Sequence, residues 1–160
     1  MMINERNPKI RCIYKHITGG DKGGGGLTMI YRDTLQCHEW EPNVPDGFKY
    51  IEKERQWLLI SSGEQKTAFL HCYIACQNDD NSFISWNEDL FHLLKNETIK
   101  LKQDGFTVLA LGDFNSKVGR ITGLEQNSPD INRNQPMFMD FIQEANLVII
   151  NSLPIAKAKL

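Results

Sequence analysis

The sequence predicts an α/β fold in which two sheets pack together and helices lie outside them. Three observations predict it. Runs rich in β-branched and aromatic residues fill the first half of the chain. In the second half, helical periodicity alternates with short runs that are apolar on both faces. Finally, 160 residues, 41% hydrophobic and 24% charged, make about one domain with apolar side chains enough for a core, which excludes wholesale disorder.

Taken in order, residues 10–17 and 27–31 are strand-like and flank Gly19-Gly20-Asp21-Lys22-Gly23-Gly24-Gly25-Gly26, so they predict a long-looped hairpin. The loop lacks the GxxxxGK[ST] pattern, and a strand rather than a helix follows it, which argues against a phosphate cradle. Further strands are expected at 48–51, 56–60 and 67–75, with Ser61-Ser62-Gly63-Glu64-Gln65 as a hairpin connection. Then the period changes. Ser85-Trp86-Asn87-Glu88 fits a capping box, and Trp86, Leu90, Leu93, Leu94 and Leu101 recur at helical spacing as far as Gln103. Asp104-Gly105 stops that helix, because glycine takes the left-handed conformation that ends one. Val108-Leu109-Ala110-Leu111 is apolar on both faces, as a strand covered on both sides is. A polar loop covers roughly residues 116–135. Pro136 suits the first position of a second helix, striped by Phe138, Phe141, Ile142 and Ala145, and residues 147–150 form a last buried strand.

Eighteen basic and twenty acidic side chains give a net charge of −2, so no global positive field draws in nucleic acid. A polyanionic partner therefore needs a local basic patch or a metal. Lys15, Lys22, Arg32 and Lys117 are candidates for such a patch and equally for an ordinary solvated surface. The apolar runs are too short to span a bilayer, and the N-terminal residues carry no apolar leader, so no membrane association is expected. An intracellular setting, cytosolic or nuclear, with reduced thiols follows. The cysteines at 12, 37, 72 and 76 form no CxxC pair. Cys72 and Cys76 on one strand would stand about 13 Å apart, too far to clamp one metal. The histidines at 16, 38, 71 and 92 show no metal-ligand spacing, and the sequon Asn96-Glu97-Thr98 falls inside a predicted helix.

The sharpest local signal is Gly112-Asp113-Phe114-Asn115, placed directly after a buried strand. A carboxylate at the carboxyl end of a strand lies where open α/β sheets form their ligand crevice. Its oxygens suit a hard cation such as Mg²⁺, and an asparagine two residues on can orient a water or a phosphate oxygen. The competing reading is a plain Asx turn, since both residue types favour one.

In these residues the chain resembles the endonuclease/exonuclease/phosphatase (DNase-I-like) superfamily, and most of all the endonuclease domains of LINE-type, non-LTR retrotransposons. The likeness runs from about Tyr14 to Ser152. It takes in Gly24-Gly25-Gly26-Leu27-Thr28-Met29-Ile30, the strand Thr67-Ala68-Phe69-Leu70-His71-Cys72-Tyr73-Ile74 and the stretch from Asn134 to Asn151. Only the Gly-Asp-Phe-Asn motif is specific; the rest is pattern. The resemblance implies a four-layer α/β sandwich, of which residues 1–160 would be a single partial domain truncated at both ends. It implies hydrolysis of phosphodiesters in DNA with Mg²⁺ or Mn²⁺. By position, Asp113 would activate the nucleophile or hold the metal, Asn115 would orient the nucleophile or the phosphate, and Tyr73 would contact phosphate.

The sequence departs from the family pattern in places. Ala75 and Cys76 stand where the family has proline and asparagine after that tyrosine. No residue here takes the positions of the family's early asparagine and metal-binding glutamate, Glu5 having no strand leading into it, or of its final aspartate–histidine pair. An incomplete catalytic set is therefore expected. The alternative is a non-catalytic retroelement remnant that at most binds metal or nucleic acid weakly. A lipid or sugar phosphatase is a third member of the set, since fold does not fix substrate. Missing outer strands would also leave sheet edges open, which predicts poor solubility.

Overall fold

A computed structural model describes residues 9–16, 26–76, 84–117 and 132–150. The chain divides into two compact units, Met1–Cys72 with Leu101–Gly112, and Tyr73–Lys100 with Asp113–Leu160. The architecture is α/β, as the alternation of patterns predicts.

The first unit holds the sheets. Strands β1 (Ile10–His16) and β2 (Gly26–Arg32) pair antiparallel, with Cys12 opposite Ile30. This is the expected hairpin, and its glycine-rich loop lies outside the described residues. One face of it is wet, since Ile10, Tyr14 and Ile30 are exposed while Leu27 is buried. The second sheet has the order β3 (Cys37–Trp40), β4 (Arg55–Ser62), β5 (Gln65–Tyr73) and β6 (Thr107–Asp113). The first three strands are antiparallel, with Trp40 opposite Trp57 and Ser62 opposite Gln65. β4 is buried from Arg55 to Leu59 on both faces, as a central strand is, and it touches β2.

β6 runs beside β5 in the same direction. Lys66 lies over the Phe106 ring at 5.5 Å near one end, and the Cys72 thiol meets the Leu111 carbonyl at 3.9 Å near the other. A parallel neighbour requires a crossover, and the intervening chain supplies helix α1 (Ile84–Gln103). Leu90, Leu94 and Leu101 are buried on it as their spacing predicts, and Asn87 and Thr98 are fully buried as well. The helix closes in a Schellman turn: Gly105 N–H donates to Lys102 O at 3.1 Å and Phe106 N–H to Leu101 O at 3.0 Å. Helix α2 (Asn134–Glu144) buries Phe138 and Phe141, with Ala145 buried just past its end, and it closes the same way. There Asn146, at φ 50°, supplies the left-handed residue and Leu147 N–H reaches Ile142 O at 2.8 Å.

Several local expectations need correction. Residues 48–51 are not a strand; Asp46–Glu54 is a 3₁₀ helix. Three residues per turn stack Phe48, Ile51 and Glu54 on one side, and the last two are buried, a spacing that no strand face matches. β6 is covered only in its first half: Val108 is buried, but Leu111 is 55% exposed and β6 is the outermost strand among the described residues. Residues 147–150 form no strand, because no ladder partner stands beside them among the described residues, and Val148 and Ile150 are exposed. Ser85 lies inside the first turn of α1 rather than before it, and Pro136 is the third helical residue of α2 rather than the first. A proline there still omits only an N–H that would have no helical acceptor. Cys76 lies beyond the end of β5 and is exposed, whereas Cys72 is buried; none of the four cysteines forms a disulfide among the described residues. No described helix is long and apolar enough to cross a membrane.

Candidate functional site

The Gly112–Asn115 turn is shaped by its first residue. Gly112 has φ 141°, and a Cβ there would collide with the Cys72 carbonyl oxygen. Only glycine lets β6 lie that close to β5. Immediately after it, Asp113 O accepts from Ile74 N–H at 2.9 Å, which fastens the turn to the chain leaving β5. Phe114 turns under the loop, its ring 5.1 Å from Phe138 and 6.4 Å from Phe141. Phe91 completes the cluster at 6.3 and 6.2 Å from the same two rings. Of the four motif residues, then, Gly112 and Phe114 serve the fold.

Asp113 is exposed, and its Oδ1 accepts from Asn115 N–H at 2.9 Å. That is an Asx turn, the competing reading of the motif, and it is present. The Asx turn occupies one carboxylate oxygen; no described residue donates to the other. Asn115 is left-handed at φ 41°, a conformation that costs a non-glycine residue on the order of 1–2 kcal/mol and persists only where neighbours hold it. Those neighbours are amides. Asn115 Nδ2 donates to Ile74 O at 2.8 Å, while Asn115 O accepts from Asn132 Nδ2 at 2.6 Å and from Asn134 Nδ2 at 2.9 Å. Asn134 Nδ2 also reaches Ala75 O at 3.3 Å, and Asn87 Nδ2 reaches Ala75 O at 3.0 Å and Asn134 Oδ1 at 2.9 Å. Asn132 Oδ1 in turn accepts from Lys117 N–H at 3.1 Å. Asn87 and Asn134 are fully buried.

Sequence reasoning missed this network. From sequence, Asn87 belongs to a capping box, and Asn132 and Asn134 fall in a polar loop. The one available signal is an asparagine at an otherwise apolar register of α1, three and four residues before Leu90 and Phe91.

The structure brings the three sequence-predicted residues into one neighbourhood of the second unit. Tyr73 is half-buried and directly precedes Ile74, whose N–H and carbonyl hold Asp113 and Asn115. Among the described residues no hydrogen bond joins Tyr73 to either. Nor, among the described residues, do three or more His, Cys, Asp or Glu side chains gather around one possible metal position. Mg²⁺ asks for less than that, since it keeps several waters and needs one or two carboxylates besides substrate phosphate. Asp113 Oδ2 and Asn115 Oδ1 are hard oxygen donors, so the donor chemistry fits. A separate surface cavity of about 140 Å³ lies over Phe91 and Phe141, rimmed by Glu88, His92, Lys95 and Asp140. It does not include Asp113, Asn115 or Tyr73.

The remaining candidates read as structure. Burial pushes the Cys37 thiol up, with the Tyr31 hydroxyl opposing by hydrogen bonding, so this is no activated thiolate. Burial lowers the His71 pKa on β5. His92 is exposed and pairs with Asn96 at 3.0 Å on its own helix. Arg32 and Lys117 are exposed; Lys22 lies outside the described residues.

The sequence matches no protein-family model and no curated protein.

Proposed function

We propose that this chain carries part of the site of a metal-dependent phosphodiesterase acting on DNA, an endonuclease of retroelement type. The observation that carries the reading is the Asp113 carboxylate, exposed at the end of β6, with one oxygen fixed by its own turn and the other without a donor among the described residues. Mg²⁺ or Mn²⁺ bound at Asp113 and Asn115 Oδ1 would polarise a phosphodiester and acidify a bound water. The chain's own contribution is positional. The Asn115 N–H sets the rotation of the carboxylate, and the bond from Asn115 Nδ2 to Ile74 O fixes the orientation of the amide and so of its oxygen. Tyr73, one residue before that anchor, would offer its hydroxyl to a phosphate oxygen.

A second reading, a folded remnant without catalysis, is favoured by a specific observation. Asp113 is the one carboxylate the turn contributes, and among the described residues no group of three or more His, Cys, Asp or Glu side chains gathers that could hold a metal. A plasmid-nicking assay with Mg²⁺ separates the two. Under the first reading the chain nicks supercoiled DNA and Asp113→Ala slows it by about 100-fold or more. Equal nicking with and without the substitution, or none from either, removes catalysis by this chain.

A further inference from the structure

We infer that Asn134 is the positioning residue of the Asp113 carboxylate. The inference rests on the reading of Asp113 as a divalent-cation ligand and adds how the carboxylate is aimed. A causal chain of contacts runs from one side chain to the other. Asn134 is fully buried at the first turn of α2, and its Nδ2 donates both hydrogens, to Asn115 O and to Ala75 O. Its Oδ1 is taken by Asn87 from α1, so its rotation is fixed. Fixing Asn115 O fixes the peptide plane after Asn115 and keeps that residue left-handed. The left-handed backbone aims the Asn115 N–H at Asp113 Oδ1, and that bond sets which way Asp113 Oδ2 faces. Asn132 supplies a second donor to the same carbonyl from a half-buried position before the helix.

None of these asparagines is placed to touch the cation. Their effect passes through Asn115 alone. A buried amide that merely filled space would tolerate its isostere, whereas a required donor would not. Asn134→Asp keeps the size and sets an oxygen against two carbonyl oxygens, so it discriminates between the roles.

The test is Mn²⁺ titration of the full chain followed by paramagnetic broadening of the amide signals of residues 112–116, with a thermal melt of each variant. The wild-type chain is expected to show broadening centred on Asp113. Asn134→Ala and Asn134→Asp are each expected to weaken Mn²⁺ about tenfold while signals of β4 and β5 stay in place. Wild-type affinity in a folded Asn134→Asp overturns the positioning role and leaves the cation reading standing. A folded wild-type chain without broadening ends the cation reading, and this inference with it. If the Asn134 variants do not melt cooperatively, Asn132→Ala decides: a loss of about threefold supports the role, and unchanged affinity overturns it.

Discussion

Two turns of this chain each depend on a glycine with positive φ, and they depend on it for different reasons. Gly63, at φ 59°, opens the two-residue connection between β4 and β5, where Ser62 pairs with Gln65. Glu64 is not left-handed, so the turn has the II′ pattern of glycine first, whose twist matches the flanking strands. Around Gly63 there is open space. Gly112, at φ 141°, lies against the Cys72 backbone and begins a turn that is held by Ile74, Asn132 and Asn134. The first turn is written in four consecutive residues. The second is assembled from backbone and side-chain groups of residues scattered from Ile74 to Asn134, which is why one can be read from sequence and the other only from coordinates.

The comparison can be broken by giving both glycines the same side chain. Gly112→Ala is expected to cost about 3 kcal/mol or more, because the new methyl meets backbone that cannot move away and φ is unfavourable too. Gly63→Ala is expected to cost about 1 kcal/mol, the conformational term by itself. Urea unfolding of both variants measures the gap, and equal losses would mean that the Cys72 contact is not what Gly112 serves. A third, smaller effect belongs to the β4–β5 hairpin. His71, opposite Gln56, has its pKa lowered below 6.5 by burial, so the unfolded chain takes up its proton first as pH falls. Protonation therefore favours unfolding: stability should drop below about pH 6.5 and level off beneath the lower folded-state pKa. His71→Gln should flatten that slope in melts between pH 5 and 7, about the range of ordinary histidine titration.

The same distinction sorts what was legible in the sequence. The long-looped hairpin, β4, β5, α1 with its Asp104-Gly105 stop and the apolar stripe of α2 are all local patterns, and all are present. The strand expected at 48–51 failed because β-branched and aromatic content outweighed a three-residue period that Pro45-Asp46-Gly47 introduces. Residues 147–150 failed for a different reason: apolar alternation reports only that a strand is feasible, whereas pairing depends on a neighbour. At the site, Asp113, Asn115 and Tyr73 were legible as positions. The buried amides were not, because a polar residue on a helix normally signals solvent. Asn87 and Asn134 reverse that rule by satisfying backbone carbonyls where two chain segments leave their strands.

The four phenyl rings beneath the loop carry a practical consequence. Phe114 is anchored on Phe138 and Phe141, with Phe91 alongside, so the tetrapeptide is the visible tip of a wedge driven between two helices. Grafted onto another scaffold without those helices, Gly-Asp-Phe-Asn would present an exposed phenylalanine and a carboxylate free to swing. Protein engineers who want this carboxylate elsewhere must move the aromatic seat together with it.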